Sequence, residues 1–417
     1  MNQATGFLNK YVVPPLTVVS ENTYMKAIRA GMVAIVPLTI IGGFFMIIAY
    51  MPIPGWEEWV EPYLPLLEIP NKATFGLLSI FVCFSIAYSL GKEFKQEAVV
   101  SGSMALLIFL MIQIDITKED LTFTEGSLDS GGLFTAILIA LIVVRVQKFF
   151  NDKSLIIKLP ENVPSVVYES FASLIPLLFL VITFWVIRFV LGVDINALLQ
   201  MALSPLVIGL DTLPGILLYT FMVMMLWSVG INGDNAMDAI VAPIFLLYLD
   251  ENVQAMTAGE PLPYITALGF FTSFVNVGGT GATIALALIL WNSKEPGLRK
   301  VGRVSMPTQI FQINEPILFG VPIVLNPLMM IPFVLSAMSL TTGTYLLMQW
   351  NVIQRPVIPV PWTTPPIIGP YLVTGGDWKA GVWAVASIFI AIAIYYPFAK
   401  ILERQRLQEE AAVEVDE

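Results

Sequence analysis

The chain has 417 residues, 57% hydrophobic and only 12% charged, with a formal net charge of −10. A soluble domain carries roughly 25% charged residues, so too few polar side chains exist to cover globular surfaces; disorder is excluded on the same grounds, and the negative balance argues against a nucleic-acid partner. No histidine and a single cysteine remove imidazole bases, Ser-His triads, phosphohistidine, intrachain disulfides and zinc clusters, and no metal or cofactor is expected.

The chain reads as an integral membrane protein, and a spanning helix needs about 20 predominantly apolar residues. Uncharged stretches at Ala30–Trp56, Ala73–Gly91, Ala98–Ile114, Ser130–Val144 and Ser170–Ile187 predict five spans, and a sixth runs from Thr212 to Gly230. Cytoplasmic loops retain Lys and Arg. Lys10, Lys26 and Arg29 precede the first span, Lys92 and Lys95 follow the second, and Arg145, Lys148, Lys153 and Lys158 follow the fourth. The loop after the third span is acidic, with Asp115, Glu119, Asp120, Glu125 and Asp129 against Lys118. This alternation predicts a cytoplasmic N-terminus; Arg188, near the outer end of span five, breaks it. Lys294, Arg299, Lys300 and Arg303 mark another cytoplasmic loop, and Lys400, Arg404 and Arg406 place the C-terminus inside. No cleavable signal peptide is expected, because residues 1–25 lack a continuous apolar core and contain Pro14 and Pro15. Phe7, Leu8, Tyr11 and Val12 suit an interfacial face.

Beyond residue 230 the texture changes. Pro261–Ser293 is uncharged yet contains Pro263, Gly269, Gly278, Gly279 and Gly281; Pro316–Gln354 is uncharged with Pro322, Pro327 and Pro332; Arg355–Pro366 is rich in proline. Straight helices do not suit this density of breakers, and irregular backbone survives at membrane depth only where protein buries it or water reaches it. Broken helices and re-entrant hairpins, as at transporter substrate sites, are therefore predicted. The expected division is 1–190 as a regular helical half, 191–402 as a half with broken elements, and 403–417 as a charged cytosolic tail.

Four motifs carry candidate chemistry. Glu315, within Phe311–Gly320, is the lone charge between Val304 and Gln354; a carboxylate at membrane depth is functional by default, and Pro316 disfavours helical geometry for it. A surface-loop reading competes. Trp227–Asn235 offers Asn232, Asp234 and Asn235 for hydroxyl binding, or makes an ordinary Gly/Asn/Asp turn. Asn276–Ala282 lacks the GxxxxGK[ST] pattern of a phosphate loop, and as a Gly-rich break it supplies Asn276, Thr280 and amides to a sugar or ion. In Pro361–Pro366, Trp362 suits stacking on a sugar ring, with Thr363 and Thr364 as hydroxyl partners, or an interfacial belt. Cys83 is expected as a small buried hydrophobe. Asp211, Asp238, Arg355 and Asp377 lie near predicted span ends, where structural pairing is open to each, and no chemistry is assigned to them.

Asn314-Glu-Pro-Ile-Leu-Phe-Gly-Val-Pro-Ile-Val-Leu-Asn-Pro327 resembles the hallmark of the membrane EIIC subunit of sugar phosphotransferase systems, in the lactose/cellobiose/chitobiose group. Tyr24–Met32, Pro37–Gly42, Val163–Pro176, Trp362–Pro366 and Thr374–Trp378 extend the resemblance along nearly the whole chain. It implies an all-α integral membrane protein of the glucose-superfamily EIIC type, with about ten spans plus re-entrant hairpins, forming a homodimer in the bacterial cytoplasmic membrane. The N-terminal half would dimerise, and the C-terminal half would carry the sugar across as a rigid body, elevator fashion. Phosphate would come from a phosphocysteine on a separate EIIB protein, itself supplied through EIIA. The resemblance maps the residue beside the accepting hydroxyl to Glu315, as base or orienter, and the stacking residue to Trp362; Asn314 belongs to the same motif and joins the expected substrate contacts. Many relatives have Gly-Ile-His-Gly where this chain has Gly230-Ile-Asn-Gly233, so Asn232 can bond the hydroxyl but cannot take its proton. The implied function is translocation of a β-linked disaccharide coupled to phosphorylation. An ion-coupled sugar transporter using Glu315 as the coupling site is the alternative, and a channel is a third class.

Overall fold

The computed structural model describes residues 22–49, 55–116, 122–157, 160, 168, 171–321, 323–324 and 326–416. The interfacial face at Phe7–Val12, the N-terminal basic Lys10 and half of the Val163–Pro176 motif lie outside them.

Helix α1 (Thr23–Ala49) begins seven residues before the apolar stretch, because Asn22 Oδ1 accepts from Tyr24 N at 2.9 Å and caps it. Hydropathy marks the bilayer core, whereas the cap marks the helix. The short α2 (Trp56–Val60) and α3 (Leu64–Thr74) lead through a tight turn into α4 (Leu78–Glu93), where Cys83 is fully buried as expected. The third predicted span is α5 (Ala98–Gln113), and a two-residue ladder pairing Ile114 with Phe123 closes the acidic loop behind it. The fourth, α6 (Leu133–Asp152), extends eight residues past its predicted end.

The fifth predicted span is not straight. Helix α7 (Leu174–Trp185) widens into a π-turn at Val186–Val190, and the path bends by 83° into α8 (Ile195–Leu210). Arg188, the residue that breaks the charge alternation, is held at this corner: its Nε donates to Ile112 O at 3.1 Å and its guanidinium lies 3.7 Å from Asp194. Asp194 in turn caps α8 by accepting from Ala197 N at 3.0 Å. The sixth prediction matches α9 (Leu213–Ser228), capped by Thr212. Among the described residues, five helices are long and apolar enough to cross a membrane, six if the bent pair counts as one, with α5 and α9 as shorter apolar helices.

In the second half, α10 (Gly233–Thr257) is a continuous helix that hydropathy concealed, since Asp234, Asp238, Asp250 and Glu251 interrupt its apolar face. A broken segment follows. Then come α11 (Ile284–Leu290), α12 (Pro296–Gln309), α13 (Glu315–Gly320), α14 (Pro327–Gln349), α15 (Ile368–Val373) and α16 (Trp378–Asp416). One expectation changes here. Helix α14 is uninterrupted over 23 residues: Pro327 opens it, where no N–H is needed, and Pro332 removes a single internal bond. Residues 403–416 continue α16.

The irregular backbone is buried, as lipid requires. From Ile265 to Ala287 every residue except Leu268 and Thr272 is buried, across a π-turn at Phe270–Val275 and positive-φ glycines 269, 278, 279 and 281. Its polar groups find partners within the protein: Leu268 N donates to Phe245 O at 2.8 Å, and Gly281 O accepts from Tyr395 Oη at 2.8 Å. A second irregular segment is a hairpin closed by Val357 N donating to Val373 O at 2.8 Å, with Pro361–Pro366 at its tip. Asp211, Arg355 and Asp377 have the structural role expected. Asp211 accepts from Ile265 N, Thr266 N and Thr266 Oγ1 at 2.8–2.9 Å; Arg355 donates to Leu262 O and Pro263 O; and Asp377 accepts from Gln354 N at 2.9 Å.

Helices α1 and α4 touch backbone to backbone at Gly31, where an added Cβ would stand 2.8 Å from Ile86 N and Cα. Gly31→Ala is expected to destabilise by about 1–3 kcal/mol, read as a lower melting temperature in detergent. Gly76→Ala is the control, because nothing lies within 4 Å of its added Cβ.

Candidate substrate site

A cavity of about 330 Å³ opens where α9 ends, α10 begins and both irregular segments converge. Its volume is at the small end of ordinary ligand sites, roughly 300–1,000 Å³. Asn232, Asn276, Thr280, Asn314, Glu315 and Trp362, all singled out from the sequence, line it together; Thr363 is not among the lining residues. Trp378 is exposed at the start of α16 and is not among the lining residues. A larger cavity of about 970 Å³ lies between α6, α8 and α10, beside Glu125, Asp129, Glu251 and Glu260, and contains none of these six.

Both readings of the Trp227–Asn235 motif hold at once. Gly230, at φ +87°, makes the turn, and Asn232 Oδ1 caps α10 by accepting from Asn235 N at 2.9 Å. That cap uses the Asn232 acceptor and leaves its amide N–H groups as what it can offer the cavity.

Glu315 is exposed and is the first residue of α13. Pro316 is expected to disfavour helical geometry at Glu315, yet Glu315 opens α13: as the second helical residue, proline needs no N–H partner. The break lies one residue earlier, at Asn314. Asn314 Nδ2 donates to Thr280 O at 2.9 Å and to Thr283 Oγ1 at 3.2 Å, tying the start of α13 to the broken segment. Gln312, at φ +66°, is the brace that sequence reasoning missed. Its Oε1 accepts from Gly279 N at 3.3 Å, while its Nε2 donates to Thr272 O at 3.3 Å and Thr364 O at 3.2 Å. One amide thus joins the broken segment, the Glu315 loop and the hairpin tip that carries Trp362.

Asp234 and Asp238 project from one face of α10, four residues apart, and both line the cavity. Asp234 accepts from Trp227 Nε1 at 2.7 Å, Thr280 Oγ1 at 2.8 Å and Asn276 Nδ2 at 3.2 Å. Asp238 stands in the first turns of α10, near the helix end, where Arg29 of α1 supplies a countercharge and donates to Asn235 O at 2.9 Å. The i, i+4 spacing of the two carboxylates was a usable signal, concealed because this segment was not read as helix.

The lining combines carboxylate and amide oxygens, amide N–H donors and an exposed indole face, a set suited to a neutral polyhydroxylated molecule. Irregular, protein-buried segments that converge on a polar cavity among apolar helices define a multi-pass membrane transport protein. Residues 29–337 match the family described as "Phosphotransferase system, EIIC", and the chain belongs to that family. The chain is 35% identical to the PTS system cellobiose-specific EIIC component of Geobacillus stearothermophilus, covering 99% of this chain and 97% of that protein. It is 33% identical to the lichenan permease IIC component of Bacillus subtilis, covering 100% and 97%. The solved structure of the transporter ChbC, the IIC component from the N,N'-diacetylchitobiose-specific phosphotransferase system, superposes with a TM-score of 0.91 at 35% identity, covering 97% of this chain and 99% of that one.

Gly279, at φ +106°, would place an added Cβ 2.5 Å from Asn314 Cβ. Gly279→Ala is expected to cost about 1–3 kcal/mol in thermal unfolding and to loosen the Asn314 tether. Accelerated backbone hydrogen exchange at residues 312–318 checks the second effect.

Proposed function

We propose that this chain is the EIIC permease for a β-linked disaccharide of the cellobiose, chitobiose or lactose type, bound in the 330 Å³ cavity and phosphorylated as it enters the cytoplasm. The observation that carries the reading is the meeting of Glu315, Trp362, Asn232 and the Asn276–Thr280 segment in one cavity of an EIIC chain. The named substrates of the relatives support the choice of sugar. Trp362 stacks on a pyranose face. Glu315 orients the primary hydroxyl and takes its proton as the hydroxyl oxygen forms the new P–O bond and the P–S bond to the donor cysteine breaks. Asn232 donates an N–H to the same region and serves as no base, so the proton falls to Glu315 alone. Such transfers depend mainly on positioning and electrostatics, which makes one carboxylate sufficient.

In this reading the donor is a phospho-EIIB recharged by EIIA. Lactose-specific relatives described as EIICB components, of which this chain covers about 71% of the Streptococcus mutans protein, support the pairing of the two functions. Residues 1–190 form the dimerising scaffold, residues 191–402 move the sugar across, and both termini are cytoplasmic in a bacterial cytoplasmic membrane.

Labelled cellobiose uptake and sugar-phosphate production, in vesicles with EIIB and EIIA, test the proposal. Glu315→Gln is expected to lower phosphorylation by about 10²–10⁴-fold while sugar binding stays within a few-fold; production equal to wild type removes the base role. Uptake that collapses with a protonophore and ignores EIIB establishes ion coupling instead. Trp362→Ala is expected to weaken disaccharide binding by roughly 3–10-fold, measured by calorimetry.

A further inference from the structure

The partners of Asp234 determine which way protons point inside the cavity. A carboxylate offers acceptors only. Trp227 Nε1 and Thr280 Oγ1 both donate to Oδ2, at 2.7 and 2.8 Å, and Asn276 Nδ2 donates to Oδ1 at 3.2 Å. Turning the Asn276 amide over would set its Oδ1 against a carboxylate oxygen, acceptor against acceptor, so that orientation is closed. The Thr280 hydroxyl has committed its single proton. The acceptors left over on these two cavity-lining residues are Asn276 Oδ1 and the Thr280 Oγ1 lone pairs. Asn276 and Thr280 are only 8% and 6% exposed, and Asn276 Oδ1 has no hydrogen-bond partner among the described residues. A buried, unpartnered acceptor in the wall of a cavity is a group built for a donor supplied from outside.

We propose that Asp234 is a positioning residue that makes Asn276 and Thr280 obligate acceptors, so that the sugar hydroxyls facing them must donate their protons. The inference rests on the disaccharide reading above. It defines a form of specificity: at those ring positions a hydroxyl is accepted, whereas fluorine, which cannot donate, is rejected. A purely structural Asp234, bracing α10 against the broken segment, would change affinity for every analogue alike.

The test is calorimetric binding to the purified full-length chain in detergent. Cellobiose, chitobiose and lactose are measured first, then each monodeoxyfluoro analogue of the tightest binder. In wild type, fluorine is expected to cost about tenfold or more at one ring position beyond the one read by Glu315. In Asp234→Asn that penalty falls to within about threefold, because an amide at position 234 can donate to Asn276 or Thr280 and release their protons toward the sugar. The position facing Glu315 stays intolerant in both proteins. Thr280→Val removes one acceptor with the shape kept and is expected to erase the penalty at a single position; it decides the matter if Asp234→Asn fails to fold, and an unchanged penalty there overturns the inference. The same penalty in Asp234→Asn as in wild type also overturns it. Wild-type binding of a parent sugar with fluorine tolerated everywhere overturns this inference alone, whereas failure of all three parents to bind overturns the disaccharide reading and this inference with it.

Discussion

Every feature of the site follows from one constraint: in hydrocarbon, a backbone amide or carbonyl without a partner has no water to turn to. A chain that needs irregular backbone at membrane depth must wrap it in protein. Here the stretch from Ile265 to Ala287 is almost entirely buried, and its turns take positive φ at four glycines. The surrounding helices both cover this segment and bond to it, as Tyr395 of α16 does at Gly281. The hairpin at Val357–Val373 obeys the same rule by bonding to itself. The cavity exists because two such segments meet, and each keeps its side chains free by satisfying its backbone elsewhere.

That division of labour extends to the side chains. Gln312 and Asn314 engage their amide donors, and Gln312 its acceptor too, in holding three segments in register. Asn232 gives its acceptor to the α10 cap, and Asp234 gathers three donors. Fully engaged amides make walls; the atoms left over, Asn276 Oδ1 above all, are what such a wall keeps in reserve. The absence of histidine fits this arrangement. Asn is among the best N-cap residues, and a cap at position 232 stabilises the helix that presents Asp234 and Asp238.

Much was legible before any coordinates. Apolar run lengths located α1, α5, α6 and α9 to within a turn or two, since burial in lipid demands such runs. The isolation of Glu315 in an uncharged stretch and the Gly-rich break at 276–282 located two walls of the cavity, because ionisable groups and breakers are too costly at that depth to be incidental. Hydropathy failed where an element faces protein rather than lipid. Helix α10 carries four carboxylates yet is continuous, because Arg29 and neighbouring polar groups, not lipid, meet its polar face. It failed also at α7, where the path bends and Arg188 at the corner reaches a carbonyl in α5.

By itself the sequence determined that the chain lives in a membrane, where irregular backbone must occur and which residue types lie on it, because those properties depend on composition and local chemistry. Only the tertiary structure decided which residues meet. Asp234 and Thr280 are 46 positions apart, and Gln312 and Thr364 are 52; no local pattern encodes such separations. Whether an amide oxygen faces a neighbour or a cavity depends on what stands opposite it, and that is settled by packing alone.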